Sequence, residues 1–175
     1  MKFVFLSVAS ALVVTRRDLG AIALLGAAPA NAIEPCKPNA NNCWSTASTD
    51  KTKMAPWVFP GSKTEAIADL KAAVGAYPQQ GQDGVDLGGW VEVVPLDKGY
   101  GKYEFKSGIG NFAKFFNGGQ PFVDDFELEL TDTNVQVRSS SRVGDSDLGV
   151  NAKRINYIAQ ALQAKGWDAP AIPAK

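Results

Sequence analysis

The sequence predicts an α+β domain of two layers: an antiparallel four-stranded meander sheet with helices packed on one face. Three observations carry this. Residues 124–130 alternate, with Phe126, Leu128 and Leu130 on one side and Asp125, Glu127 and Glu129 on the other, and the alternation resumes at Val135 and Val137; this is the period-2 mark of half-buried strands. Two other stretches, one beginning near Ser62 and one over 151–165, carry apolar residues at helical spacing. The sequence order is therefore helix, strands, helix, which folds as an antiparallel sheet covered on one side.

Residues 1–32 read as processing sequence outside that fold. Lys2 precedes an apolar run over 3–14, and a second run over 19–30 follows Thr15, Arg16, Arg17 and Asp18 and ends in Ala30, Asn31 and Ala32. Both runs fall short of the roughly 20 residues that a membrane-spanning helix needs. Paired arginines, a modest apolar core and an Ala-x-Ala end resemble a twin-arginine export signal. The segment ahead of it resembles the doubled presequence of algae with complex plastids. The expected destination is a plastid thylakoid lumen, with a bacterial periplasm as the alternative and a retained signal anchor as the competing reading. Cleavage after Ala32 would remove Lys2, Arg16, Arg17 and Asp18, leaving the mature chain weakly acidic.

Residues 33–62 form an extended cysteine-containing segment continuous with the domain at 63–175. Cys36 and Cys43, the only cysteines, stand in EPCKPNANNCWST with six residues between them. In an exported protein they read first as a small-loop disulfide, with a single reactive Cys43 as the competing reading. Met54, Trp57, Val58 and Phe59, bounded by Pro56 and Pro60, predict extended chain laid across the core. The first helix follows, capped by Ser62 or Thr64, helped by Glu65, striped by Ile67, Leu70, Ala73 and Val74 and ended by Tyr77 and Pro78. QQGQDGVDLGG is a loop by its glycines.

Residues 90–95 are apolar on both faces and predict a central strand. Residues 100–106, built around Tyr103 and Phe105, pair with it through Asp97, Lys98 and Gly99. GNFAKFFNGGQPF then carries Phe112, Phe115, Phe116 and Phe122. They either fold back onto the sheet or form an exposed apolar docking surface.

The next hairpin has a derivable register. With Asp132 and Thr133 as its loop, Leu130 faces Val135, Leu128 faces Val137 and Glu127 faces Arg138, and a one-residue slip would destroy all three matches. Serines 139–141, Arg142, Gly144, Asp145, Ser146, Asp147 and Gly149 make a turn-rich loop. In the closing helix Ile155, Ile158, Ala159 and Leu162 recur at helical spacing before Gly166. Asn151 and Arg154 share its first turn, and Asp145 or Asp147 is expected to pair with Arg142 or Arg154.

VDDFELEL, VRSSSRVGDSDLGVNAKRI and the upstream NCWST together resemble the domain of unknown function 1499 family, found in bacteria and in plastid-bearing eukaryotes. With the leader, this points to a plastid, thylakoid lumenal member from an alga. The resemblance places the family's recurrent positions on Cys43, Ser45, Asp124, Asp125, Arg138, Ser139, Ser141, Arg142, Asp147, Gly149, Asn151 and Arg154. It brings no activity with it.

Composition excludes several chemistries. Lys and Arg total 18 against 18 Asp and Glu, so no basic field favours nucleic acid, and there is no histidine for a triad, a His-ligated zinc or acid-base work near neutrality. No metal ligand set or cofactor motif is legible. Alternation puts Asp124 and Asp125 on opposite faces, which disfavours a carboxylate dyad, and the serines have no evident base. The expected function is a non-catalytic thylakoid lumenal accessory protein: an extrinsic subunit or assembly factor peripheral to a photosynthetic membrane complex such as a photosystem, with membrane-embedded subunits as partners. The alternative is a lumenal enzyme or small-ligand-binding domain using Asp124, Asp125, Arg138, Ser139, Ser141, Arg142, Asp145, Asp147, Asn151 and Arg154.

Overall fold

The computed structural model describes residues 33–108 and 115–173; the leader and Phe112 lie outside them. In chain order the elements are β1 (Cys43–Ser45), β2 (Trp57–Val58), α1 (Lys63–Gly75), β3 (Trp90–Val94), β4 (Tyr100–Lys106), β5 (Val123–Leu130), β6 (Asn134–Ser141) and α2 (Val150–Gln163). A 3-10 turn at Leu96–Lys98 joins β3 to β4.

The last four strands form the expected meander, every pair antiparallel. The sheet is larger than four strands. β1 and β2 both pair antiparallel with β6 along its other edge, making six among the described residues. At three and two residues they are too short to show alternation, and their place is set by the open hydrogen-bonding edge of β6. The Cys36–Cys43 disulfide, with Cα atoms 5.8 Å apart, anchors this segment where Cys43 pairs with Ser140. Closing a loop of this length stabilises by about 2–3 kcal/mol in the chain-entropy account.

The β5–β6 register matches the sequence pattern: Leu130 with Val135, Leu128 with Val137 and Glu127 with Arg138. β3 does not. It is an edge strand, with Val91 and Val93 nearly half exposed. A two-sided apolar run reads the same whether a further strand covers it or solvent does. Trp90 anchors it to the core side, 6.0 Å from the rings of both Tyr103 and Phe105.

Both helices cover one face of the sheet. Ser62 caps α1 through a reciprocal capping box: the Glu65 amide donates to Ser62 Oγ at 3.3 Å, and the Ser62 amide donates to Glu65 Oε2 at 2.8 Å. This phase buries Ala66, Leu70, Ala73 and Val74; Ile67, expected in the stripe, is only partly buried. From α2, Ile155, Ile158 and Leu162 pack with Trp57, Phe126, Leu128, Val135 and Val137 in one core. The opposite face of the sheet carries Lys102, Glu104, Asp125, Glu127, Glu129 and Arg138, all half-buried.

Candidate functional site

At one end of the inner face the apolar pattern gives way to buried polar groups. Alternation on β5 carries Asp124 onto the same side as Phe126, and alternation on β6 carries Ser139 onto the same side as Val137. The core stripe of α2 contains Asn151 and Arg154 along with Ile155 and Ile158. All four polar residues are therefore delivered inward by the periodicities that bury their apolar neighbours.

Arg154 is the hub and has no exposed surface. Its Nε donates to Asp86 Oδ2 at 2.9 Å. Its Nη2 donates to Asp86 Oδ1 at 2.5 Å and to Asp124 Oδ2 at 2.7 Å. Its Nη1 donates to Ser139 Oγ at 3.0 Å and to Asn151 Oδ1 at 2.8 Å. These five contacts match the five N–H groups of a guanidinium. The ring of Phe105 lies beneath, 4.5 Å from Cζ. Burial works against the charge of Arg154, and Asp124 and then Asp86 more than reverse this, raising its pKa above the ordinary value. Tyr77 donates to Asp86 at 2.6 Å; burial, then the negative Asp86, pushes its phenol well above the usual range.

Asn151 closes the corner. Its amide nitrogen donates to Asp147 Oδ2 at 2.8 Å, Ser141 Oγ at 3.1 Å and the Asn42 carbonyl at 3.2 Å, tying helix, loop and N-terminal segment together. Ser139 donates to Asn151 Oδ1 at 2.5 Å, so its hydroxyl proton points to an amide oxygen, and among the described residues no base stands ready to take it.

The expected pairing of Asp145 or Asp147 with Arg142 or Arg154 is not what forms. Asp147 accepts from the backbone amides of Gly149 and Asn151 at 3.1 and 2.8 Å, capping α2, where a carboxylate complements the helix dipole. Asp145 is exposed on the loop. Arg142 reaches the outer face instead, where it binds Asp125 through Nε and Nη2 at 3.2 and 2.8 Å and also contacts Glu104. Arg138 pairs with Glu127 at 3.2 Å, also on that face. The sequence-expected set is thus split between two faces of the sheet: Asp124, Ser139, Ser141, Asn151 and Arg154 meet inside, whereas Asp125, Arg138 and Arg142 meet outside.

Asp86 was absent from the expected set, and so was Tyr77. Asp86 lies in the glycine-rich loop with a φ of 57°, where no periodicity marks it as buried. One signal was available: Arg154 shares the α2 stripe with Ile155 and Ile158, and a buried guanidinium demands acids.

Above this corner is a cleft of about 690 Å³. Its walls include Leu87, Phe116, Phe122, Val143 and Leu148, and Asp86 and Asp124 contribute to its lining. Asp124 keeps about a tenth of its side chain exposed. Phe116 is 70% exposed and its sequence neighbour Phe115 85%, and Leu148 is 79% exposed with a φ of 53°. Left-handed backbone is unfavourable for leucine, and such local strain clusters at ligand clamps and switch regions. Of the aromatic stretch, Phe115 and Phe116 are exposed and Phe122 is half-buried.

The family described as "Protein of unknown function (DUF1499)" matches residues 32–162. The chain belongs to that family. The DUF1499 span takes in both cysteines, Asp86, the β5–β6 hairpin and Arg154, so the whole polar corner lies within it. No curated protein and no solved structure matches the chain.

Proposed function

We propose that this DUF1499 chain is a non-catalytic accessory protein of an algal thylakoid lumen, an extrinsic subunit or assembly factor that docks on membrane-embedded subunits of a photosynthetic complex. The observation that carries the reading is the gathering of exposed apolar side chains, Leu87, Phe116, Val143 and Leu148, around one cleft, since contiguous exposed apolar surface marks interaction sites. The described lining of that cleft holds Asp86, Asp124, Asp145 and Asp147 and no Lys or Arg. Arg154 already pairs with Asp86 and Asp124, and Asp147 caps α2, so a fitting partner surface presents apolar side chains with a basic one placed to meet the exposed Asp145. The disulfide suits an oxidising compartment. Full engagement of the Arg154 donors, together with the Ser139 hydroxyl held by Asn151, favours binding over turnover.

Plastid fractionation tests this. The protein should sediment with thylakoid membranes and be released by salt or mild alkali. Recovery solely as a free monomer in the lumenal extract would contradict docking, and a reducing stromal location would contradict the address.

A second reading is a small-ligand site in the same cleft, favoured by its volume, which falls in the range of small-molecule pockets. A thermal-shift screen of the purified protein with hydrophobic amines separates the two. Saturable stabilisation by one compound supports a ligand, and none across the series leaves the partner surface as the occupant.

A further inference from the structure

The outer face of the sheet has an uneven charge pattern. Glu104 and Asp125 are held by Arg142, Asp125 and Glu127 by Lys102, and Glu127 by Arg138. Glu129, next on the same face of β5, has no Lys or Arg ion-pair partner among the described residues. What it does have is the backbone nitrogen of Ile33, which donates to its Oε2 at 3.1 Å in a partly buried contact 96 positions away in sequence. Ile33 is also the residue that immediately follows Ala30, Asn31 and Ala32, the small-residue end of the leader.

We propose that hydrolysis of the Ala32–Ile33 bond makes Ile33 the mature N-terminus, and that its new α-ammonium is the cation that pairs with Glu129. In the cleavage, water gives its hydroxyl to the Ala32 carbonyl carbon, which departs with the leader as a carboxylate. Its proton goes to the Ile33 nitrogen, which takes a further proton from solvent. The nitrogen that donates to Glu129 as a neutral amide thereby becomes a charged donor, and charge-assisted hydrogen bonds are roughly twice as strong as neutral ones. Removal of the leader would thus complete the outer charge ladder and fasten the segment that carries Cys36 and β1. Groups facing the pair are Glu34 beside Ile33, Tyr100 and Gln136 opposite Glu129 on β4 and β6, and Glu127, Lys102 and Arg138 farther along the face. Of these, burial and then Glu127 push the Tyr100 phenol up to about 12, so it stays neutral while the amine titrates.

This inference shares with the functional reading only the cleaved leader, and it stands whether or not a partner complex exists. The test has two parts on the mature protein purified from its native compartment. N-terminal sequencing should begin at Ile33. The pKa of the α-amine, read by NMR after isotopic methylation, should lie about half a unit or more above the ordinary 7.7–8.0 and return to it in Glu129→Gln, but not in the control Glu127→Gln. The stability gap between wild type and Glu129→Gln should close as pH rises through the raised value, because a group whose pKa is raised by folding loses its contribution there. A different N-terminus, or an α-amine titrating normally in the wild type, overturns the proposal. The wild-type measurement decides the matter alone if Glu129→Gln does not fold.

Discussion

Two arginines in this molecule each hold two carboxylates, and adjacent residues of β5 supply one acid to each. Arg154 takes Asp124 and Asp86 inside the fold, and Arg142 takes Asp125 and Glu104 on the outer face. The chemistry is the same, but the surroundings differ: the Arg154 side chain has no exposed surface, whereas that of Arg142 is 42% exposed. A cation removed from water must have every donor satisfied, and breaking its pairing strands charges that solvent cannot reach. A half-exposed cation exchanges protein contacts for water at little net cost. Two arginine clusters that draw on adjacent acids of β5 should therefore differ severalfold in what they contribute.

The largest effect is expected at the inner pair. Arg154→Met should leave Asp86 and Asp124 uncompensated and lower the unfolding free energy by about 3–5 kcal/mol in urea titration. A loss below about 1 kcal/mol would break the comparison. Next, Ser139→Ala removes an acceptor of Arg154 and should cost about 1–3 kcal/mol, because a buried charged donor is left short of one partner. Arg142→Met should cost no more than about 1 kcal/mol, and the loss should shrink further with added salt.

The acid limb sharpens the contrast. Burial tends to raise the pKa of Asp125, but hydrogen bonds from Arg142 and Lys102 more than reverse this and hold it below the ordinary value. A carboxylate depressed by folding contributes stability above its unfolded pKa and loses it as pH falls through the folded one. The gap between wild type and Arg142→Met should accordingly be fully present above about pH 4 and close below it, as measured by melting midpoints across that range.

How much of this was legible in the sequence follows from what each residue's neighbours encode. The β5–β6 register could be read because three side-chain matches depend on one slip, and the inward placement of Asp124 follows from its alternation with Phe126. The burial of Arg154 was implicit in its spacing from Ile155 and Ile158, but one of its two acids, Asp86, sits in a loop where glycines, not periodicity, set the backbone. The two N-terminal strands are defined by the edge they join, not by their own pattern. Val91 and Val93 misled for a related reason: apolar character on both faces of β3 says nothing of whether another strand lies beyond it. Arg142 went to the outer face because alternation along β6 continues past Ser141, a step the serine-rich loop obscured.

The inner corner sets the loop that follows β6, and that loop presents Leu148. If the corner is scaffold and the cleft rim is the recognition surface, the two should separate under mutation. The most direct measurement is the native-gel distribution, in solubilised thylakoids, of wild type beside a Phe116→Ser, Leu148→Asn variant. Asn tolerates the left-handed backbone at position 148 better than Leu does, so the variant should melt at or slightly above wild type. Wild type should run with a large complex and the variant as a free monomer. A variant that stays with the complex, or a wild type found only as monomer, would contradict the account.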